Sequence, residues 1–100
     1  MDGHRTAERS SLAYHREIAA RLRADARLIA VARSRIDGWR ASSMHPRWIA
    51  DWTELLTLPV DELAHRLVDD SEHMTALRQT TPFAGILHAR ERWAIWRAVR

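Results

Sequence analysis

Across residues 10–36 the apolar positions Leu12, Ile18, Ala19, Leu22, Ala26, Ile29, Ala32 and Ile36 recur at steps of three and four, with arginine filling the intervals. That period places one apolar stripe on a helix and leaves the opposite face polar. Asp25, inside Arg23-Ala24-Asp25-Ala26-Arg27, is a residue type that caps helix N-termini. The stretch therefore reads as two antiparallel helices meeting near residue 25, although the flanking alanines would also sustain one continuous helix. Gly38 suits a left-handed C-cap, with Trp39 folding back on the last turn.

After a polar connector at residues 40–45, Pro46 opens a short helix at its first turn, where a missing amide costs nothing. Its buried stripe is Trp48, Ile49, Trp52, Leu55 and Leu56. Pro59 repeats the device ahead of Val60, Leu63, Ala64, Leu67 and Val68, with Asp61 and Glu62 at the positive end of the helix dipole. Ser71 caps a helix from Glu72 to about Gln79, and Pro82 stops it by excluding the preceding residue from the helical region. A last helix runs from His88 or Ala89 and presents Ala89, Trp93, Trp96 and Val99 on one side. The pattern predicts an all-α, single-domain, compact bundle of five to six short helices, with residues 1–8 as a disordered tail.

Composition narrows the chemistry. Val and Thr are too few for a sheet, and the 100 residues allow one modest core. Cysteine is absent, which removes disulfides, thiolate zinc sites and thiol nucleophiles together. No apolar run resembles a signal peptide or a membrane span, so a cytoplasmic protein without membrane association is expected. Every basic residue other than histidine is arginine, which reads either as coding bias or as selection for planar recognition of carboxylate and phosphate. Residues 1–50 hold ten arginines against five acids, and residues 51–100 hold six against eight. An acidic partner would meet the N-terminal helices first.

Motifs for catalysis are missing. Three glycines at 3, 38 and 85 cannot form a phosphate cradle, and no serine sits in a nucleophile elbow. Glu62 and His65 share a helix face with Asp69, but a di-iron bundle needs two such pairs and two further glutamates, so neither a metal nor a cofactor is expected. His65 and His73 do not have ligand spacing, and His4, His15, His45 and His88 are expected at the surface. An arginine stripe with Arg16, Arg23 and Arg27 makes nucleic-acid binding an alternative, weakened by the interrupting Glu8, Glu17 and Asp25 and by ion pairs such as Glu17 with Arg21.

The most distinctive segment is Arg78-Gln79-Thr80-Thr81-Pro82-Phe83-Ala84-Gly85, a non-helical elbow around an aromatic residue, followed by Glu91-Arg92-Trp93 and Trp96. Five tryptophans against one Phe and one Tyr must largely fill the core, yet Trp93 and Trp96, beside Arg90, Arg92, Arg97 and Arg100, are the residue types enriched at binding hot spots. Arg78, Gln79, Pro82, Phe83, Arg92, Trp93 and Trp96 are the candidate partner-binding residues, with Phe83 either entering a partner's recess or stapling its own core.

Through that elbow, Glu91-Arg92-Trp93, and Leu55-Leu56-Thr57-Leu58-Pro59-Val60-Asp61-Glu62-Leu63, the chain resembles small bacterial helical proteins encoded beside nucleotidyltransferase-like proteins. Such pairs look like toxin-antitoxin modules. The resemblance implies an antitoxin-like protein that binds and inhibits a nucleotidyltransferase-type toxin, and it transfers no catalytic residue. The mechanism expected from it is occlusion, with Phe83 in an apolar recess and arginines pairing with the partner's metal-binding carboxylates. The alternative is a small Arg-rich nucleic-acid-binding or transcription-regulatory protein. Nothing in the sequence decides the oligomeric state.

Overall fold

Several of the helices begin where the chain can satisfy or dispense with its first free amides. A computed structural model describes residues 3–99, which form α1 (Gly3–Ala24), α2 (Leu28–Trp39), α3 (Pro46–Leu55), α4 (Val60–Leu67), α5 (Glu72–Arg78) and α6 (Ala89–Ala98), with no strand among the described residues. At α3, Pro46 removes one free amide and Arg47 N donates to His45 Nδ1 at 3.1 Å. Pro59 precedes α4, whose first turn carries Asp61 and Glu62. At α5, Met74 N donates to Ser71 Oγ at 3.2 Å. These are the starts that proline, serine and acid placement indicate.

The chain does break at residue 25. Asp25 is not the N-cap of α2, which is Arg27; it makes the preceding turn by accepting from Arg27 N at 3.1 Å and from the Arg27 guanidinium at 2.9 and 3.1 Å. The Arg27 hydrogen bonds hold the Asp25 carboxyl below its ordinary pKa.

Two helix ends differ from expectation. Residues 3–8, expected as a disordered tail, are helical and form the opening turns of α1; residues 1 and 2 lie outside the described residues. Gly38 is not a left-handed cap. α2 runs through it to Trp39, and the helix ends by tightening: Arg40 N, Ala41 N and Ser42 N donate three residues back to Asp37, Gly38 and Trp39 carbonyls. The positive-φ glycine is Gly85, at φ +80°.

α1 packs on α4, α5 and α6, while α2 packs on α3. The core joins Ile18 and Leu22 of α1 to Ile29, Ala32 and Ile36 of α2, Trp52 and Leu55 of α3, Leu63 and Leu67 of α4, and Met74 and Leu77 of α5. Each fully buried leucine contributes about 2 kcal/mol relative to an exposed one. Phe83 and Leu87, from the segment between α5 and α6, complete it. The radius of gyration, 13.3 Å, matches the ~13 Å of a compact single domain of this length. α6 has no buried residue. No described helix is long and apolar enough to cross a membrane.

Candidate functional site

The elbow between α5 and α6 is held from four helices. Tyr14 Oη of α1 donates to the Phe83 carbonyl at 2.6 Å, and an Arg35 Nη of α2 donates to the Pro82 carbonyl at 3.3 Å. Trp52 Nε1 of α3 donates to Thr80 Oγ1 at 3.2 Å, while that hydroxyl donates back to Leu77 O of α5 at 2.9 Å. The backbone turns at residues 83–86, where Ile86 N donates to Phe83 O, and Gly85 supplies the left-handed residue that this turn needs. A β-carbon on Gly85 would stand 3.3 Å from the Arg35 guanidinium, so the arginine also lies close over the turn.

His15 is the fifth tie, and it is buried rather than exposed as expected, at 1% accessibility. Its Nδ1 lies 2.7 Å from Ser11 O and its Nε2 lies 2.9 Å from Thr81 Oγ1. A carbonyl only accepts, so Nδ1 carries the proton and Nε2 accepts from the threonine hydroxyl. Thr81 Oγ1 in turn accepts from Phe83 N at 3.0 Å. Burial is the largest influence on the imidazole and lowers its pKa to about 4, against the opposing Ser11 hydrogen bond; the positive charge of Arg78 acts in the same direction as burial. The ring is therefore neutral at neutral pH, as its hydrogen bonds require.

Arg78 and Phe83, both expected as candidate contacts for a partner, face inward. The Arg78 side chain is 4% accessible; its guanidinium donates to the carbonyls of Leu67 at 3.2 Å and Asp69 at 2.6 Å and to Thr75 Oγ1 at 3.2 Å. A cation on the last carbonyls of α4 suits the negative end of that helix. Burial lowers the Arg78 pKa, opposed by the charges of Asp69, Asp70 and Glu8. Phe83 is fully buried and meets Trp52 edge to face, ring centroids 6.1 Å apart at 75°. Pro82 is buried with it. The insertion of Phe83 into a partner's recess is therefore replaced by the staple: the elbow plugs its own core.

What the elbow leaves open is a groove of about 640 Å³ between α1, the turn at Gly85, and α6. Trp93 and Trp96 form one wall, stacked with centroids 4.9 Å apart at 28°, and Ile95, Ala89 and Ala84 extend its apolar surface. Trp93 is 55% exposed, Trp96 and Ile95 half-buried. Ser10, Tyr14 and His15 of α1 line the other side, with Arg78 below and Arg92 on α6. α6 is oriented by Glu91, which accepts from His88 N at 3.0 Å and from an Arg21 Nη of α1. The His88 amide is the largest influence holding the Glu91 carboxyl below its ordinary pKa, and Arg21 adds to it. The expected Glu17–Arg21 pair is present too, at 3.2 Å.

Of the candidate residues, Arg78, Arg92, Trp93 and Trp96 meet at the groove; Pro82 and Phe83 lie beneath it, and Gln79 is exposed but does not line it. The sequence reading missed Ser10, Tyr14 and His15. His15 stands three residues before Ile18 and seven before Leu22, so the helical register alone places it on the buried face. Exposed His45 and His88 are as expected, and the side chain of His4 and all of Arg100 lie outside the described residues.

Other constellations are weaker. No three His, Asp or Glu among the described residues are placed to hold a metal ion. His73 Nε2 stands 3.4 Å from Asp51, linking α5 to α3. Much of the arginine stripe is engaged within the chain: Arg23 pairs with Asp61, Arg27 with Asp25 and Arg40 with Asp37, while Arg33 donates to Leu56 O. A second groove of about 590 Å³ beside Ile49 and Thr53 contains Glu54 and no aromatic wall.

Comparison with known proteins found no protein family, no curated protein and no solved structure that matches this chain.

Proposed function

We propose that this chain is a non-catalytic protein-binding module whose α1–α6 groove receives a segment of a partner protein. The observation that carries the reading is the exposed Trp93, stacked on Trp96, on a helix that buries no residue in its own core. An exposed tryptophan leaves a large apolar area in water, and tryptophan and arginine anchor binding interfaces more often than other residues. The resemblance to antitoxin-like helical proteins supports a nucleotidyltransferase-type toxin as the partner, restrained by occlusion. In this version the partner inserts and the groove receives, because Phe83 is fully buried in the chain's own core.

The test is capture of the adjacent gene's product by the tagged chain, together with assay of that product's nucleotidyl-transfer activity. Binding that inhibits the enzyme, and that falls at least tenfold, about 1.4 kcal/mol, with Trp93→Ala, is expected. Unchanged capture by Trp93→Ala would remove the groove from the interface, and absence of capture by the unaltered chain would remove the toxin assignment. Nucleic-acid binding has less support, since the Arg23, Arg27 and Arg40 charges are already paired on the surface.

A further inference from the structure

The groove lacks acidic side chains. No aspartate or glutamate lines it, whereas two arginines do. Arg92 forms no ion pair among the described residues, and neither do Arg90 and Arg97 on the same helix; Glu91, the one acid of α6, is engaged with Arg21 and the His88 amide. Enclosed side-chain polar atoms show the same imbalance. Among the described residues three such atoms lack a hydrogen bond, and two of them, Ser10 Oγ and Arg78 Nε, belong to residues that line this groove. The third, on Asp51, faces His73 elsewhere. The hydroxyl of Thr81 is engaged with His15 Nε2 and Phe83 N rather than with these atoms.

From this charge and hydrogen-bond complementarity we infer that the occupant is an acidic stretch of polypeptide with an apolar anchor. The anchor lies against the Trp93–Trp96 wall, and an adjacent carboxylate meets Arg92 at the rim. The inference rests on the protein-binding reading and adds the chemistry of the partner. An apolar anchor alone would use the wall and leave Arg92 unmatched, whereas Arg78 is already met by the Leu67 and Asp69 carbonyls. A single-stranded nucleic acid would stack on the tryptophans and supply anions, but its backbone needs a track of free cations leading away from the stack. Arg21 of α1, which reaches α6, is held by Glu17 and Glu91, so α1 adds no free cation there to the arginines of α6.

Selection of a library of short random peptides on the full chain tests this, with retained peptides synthesised and titrated by tryptophan fluorescence. Peptides that pair Asp or Glu with a large apolar residue should be enriched. Their affinity should fall about tenfold with Trp93→Ala and five- to tenfold with Arg92→Glu, and the Arg92 effect should shrink in high salt. Replacing the peptide's acids by Asn or Gln should reproduce the Arg92→Glu loss. Both altered residues are exposed, so matching helical content and melting temperature show that the fold is kept.

Enrichment of neutral or basic peptides, absence of any Trp93-dependent peptide, or tighter binding of a single-stranded oligonucleotide than of every peptide would overturn the inference. If one of these occurs while Trp93-dependent capture of the adjacent gene product persists, the acidic assignment fails and the proposed function stands. If acidic peptides bind as described but no adjacent product is captured, the groove chemistry holds and the toxin assignment fails.

Discussion

His15 shows how one buried titratable residue ties a loop to a helix. Its pKa in the folded chain is lowered to about 4, against about 6.5 when unfolded, so the unfolded state binds the proton more readily between those values. Stability is therefore full above about pH 6.5 and falls as the pH drops toward 4, by roughly 2 kcal/mol at pH 5. Urea denaturation at pH 7.5 and pH 5 should show that loss. His15→Gln, which keeps an acceptor in reach of the Thr81 hydroxyl and does not titrate, should remove most of it. Phe83 argues the same point with an apolar side chain. It is fully buried against Trp52, so Phe83→Ala should cost about 3–5 kcal/mol of stability by opening a cavity. A binding defect in that variant would then report a damaged fold, which makes Trp93 the cleaner probe of the surface.

At the scale of elements, the two described glycines outside the first turn of α1 have opposite roles. Gly38 lies in the right-handed run of α2, and nothing stands within 4 Å of the place a β-carbon would take, so Gly38→Ala should raise stability by about 0.5–1 kcal/mol in thermal unfolding. Gly85 sits at φ +80° and its missing β-carbon leaves room for Arg35, so Gly85→Ala should lower stability by about 1–2 kcal/mol. Equal effects at both sites would contradict the assignment of the turn to Gly85. The helix starts at Pro46, Pro59 and Ser71 were legible because capping is local: it depends on residues within one turn. The end of α2 was not. Glycine permits a left-handed cap without requiring one, and the serine and backbone bonds that close the helix lie beyond it: Ser42 Oγ donates to Trp39 O at 2.7 Å.

For the whole molecule, the exposed wall of α6 is separable from the core. Trp93→Ala removes only the surface stack on Trp96 and Arg92→Glu an exposed side chain, so the stability of each should stay within about 1 kcal/mol of the unaltered chain while binding changes. A large loss of stability in either would show that α6 is part of the cooperative core. The all-helical bundle and most of its apolar stripes were determined by the sequence alone, because helical period and caps act over three or four residues; the choice between one helix and two at residue 25 was decided only in the structure. The directions of Arg78, Phe83 and His15 were decided only in the tertiary structure. An arginine or a phenylalanine in an elbow is compatible with either a partner or the core, and its orientation depends on what α1, α2 and α3 bring to that place. Tyr14, Arg35 and Trp52, separated from the elbow by 69, 47 and 28 residues, hold it down, and so turn the aromatic residue inward and leave the groove beside α6 as the open surface.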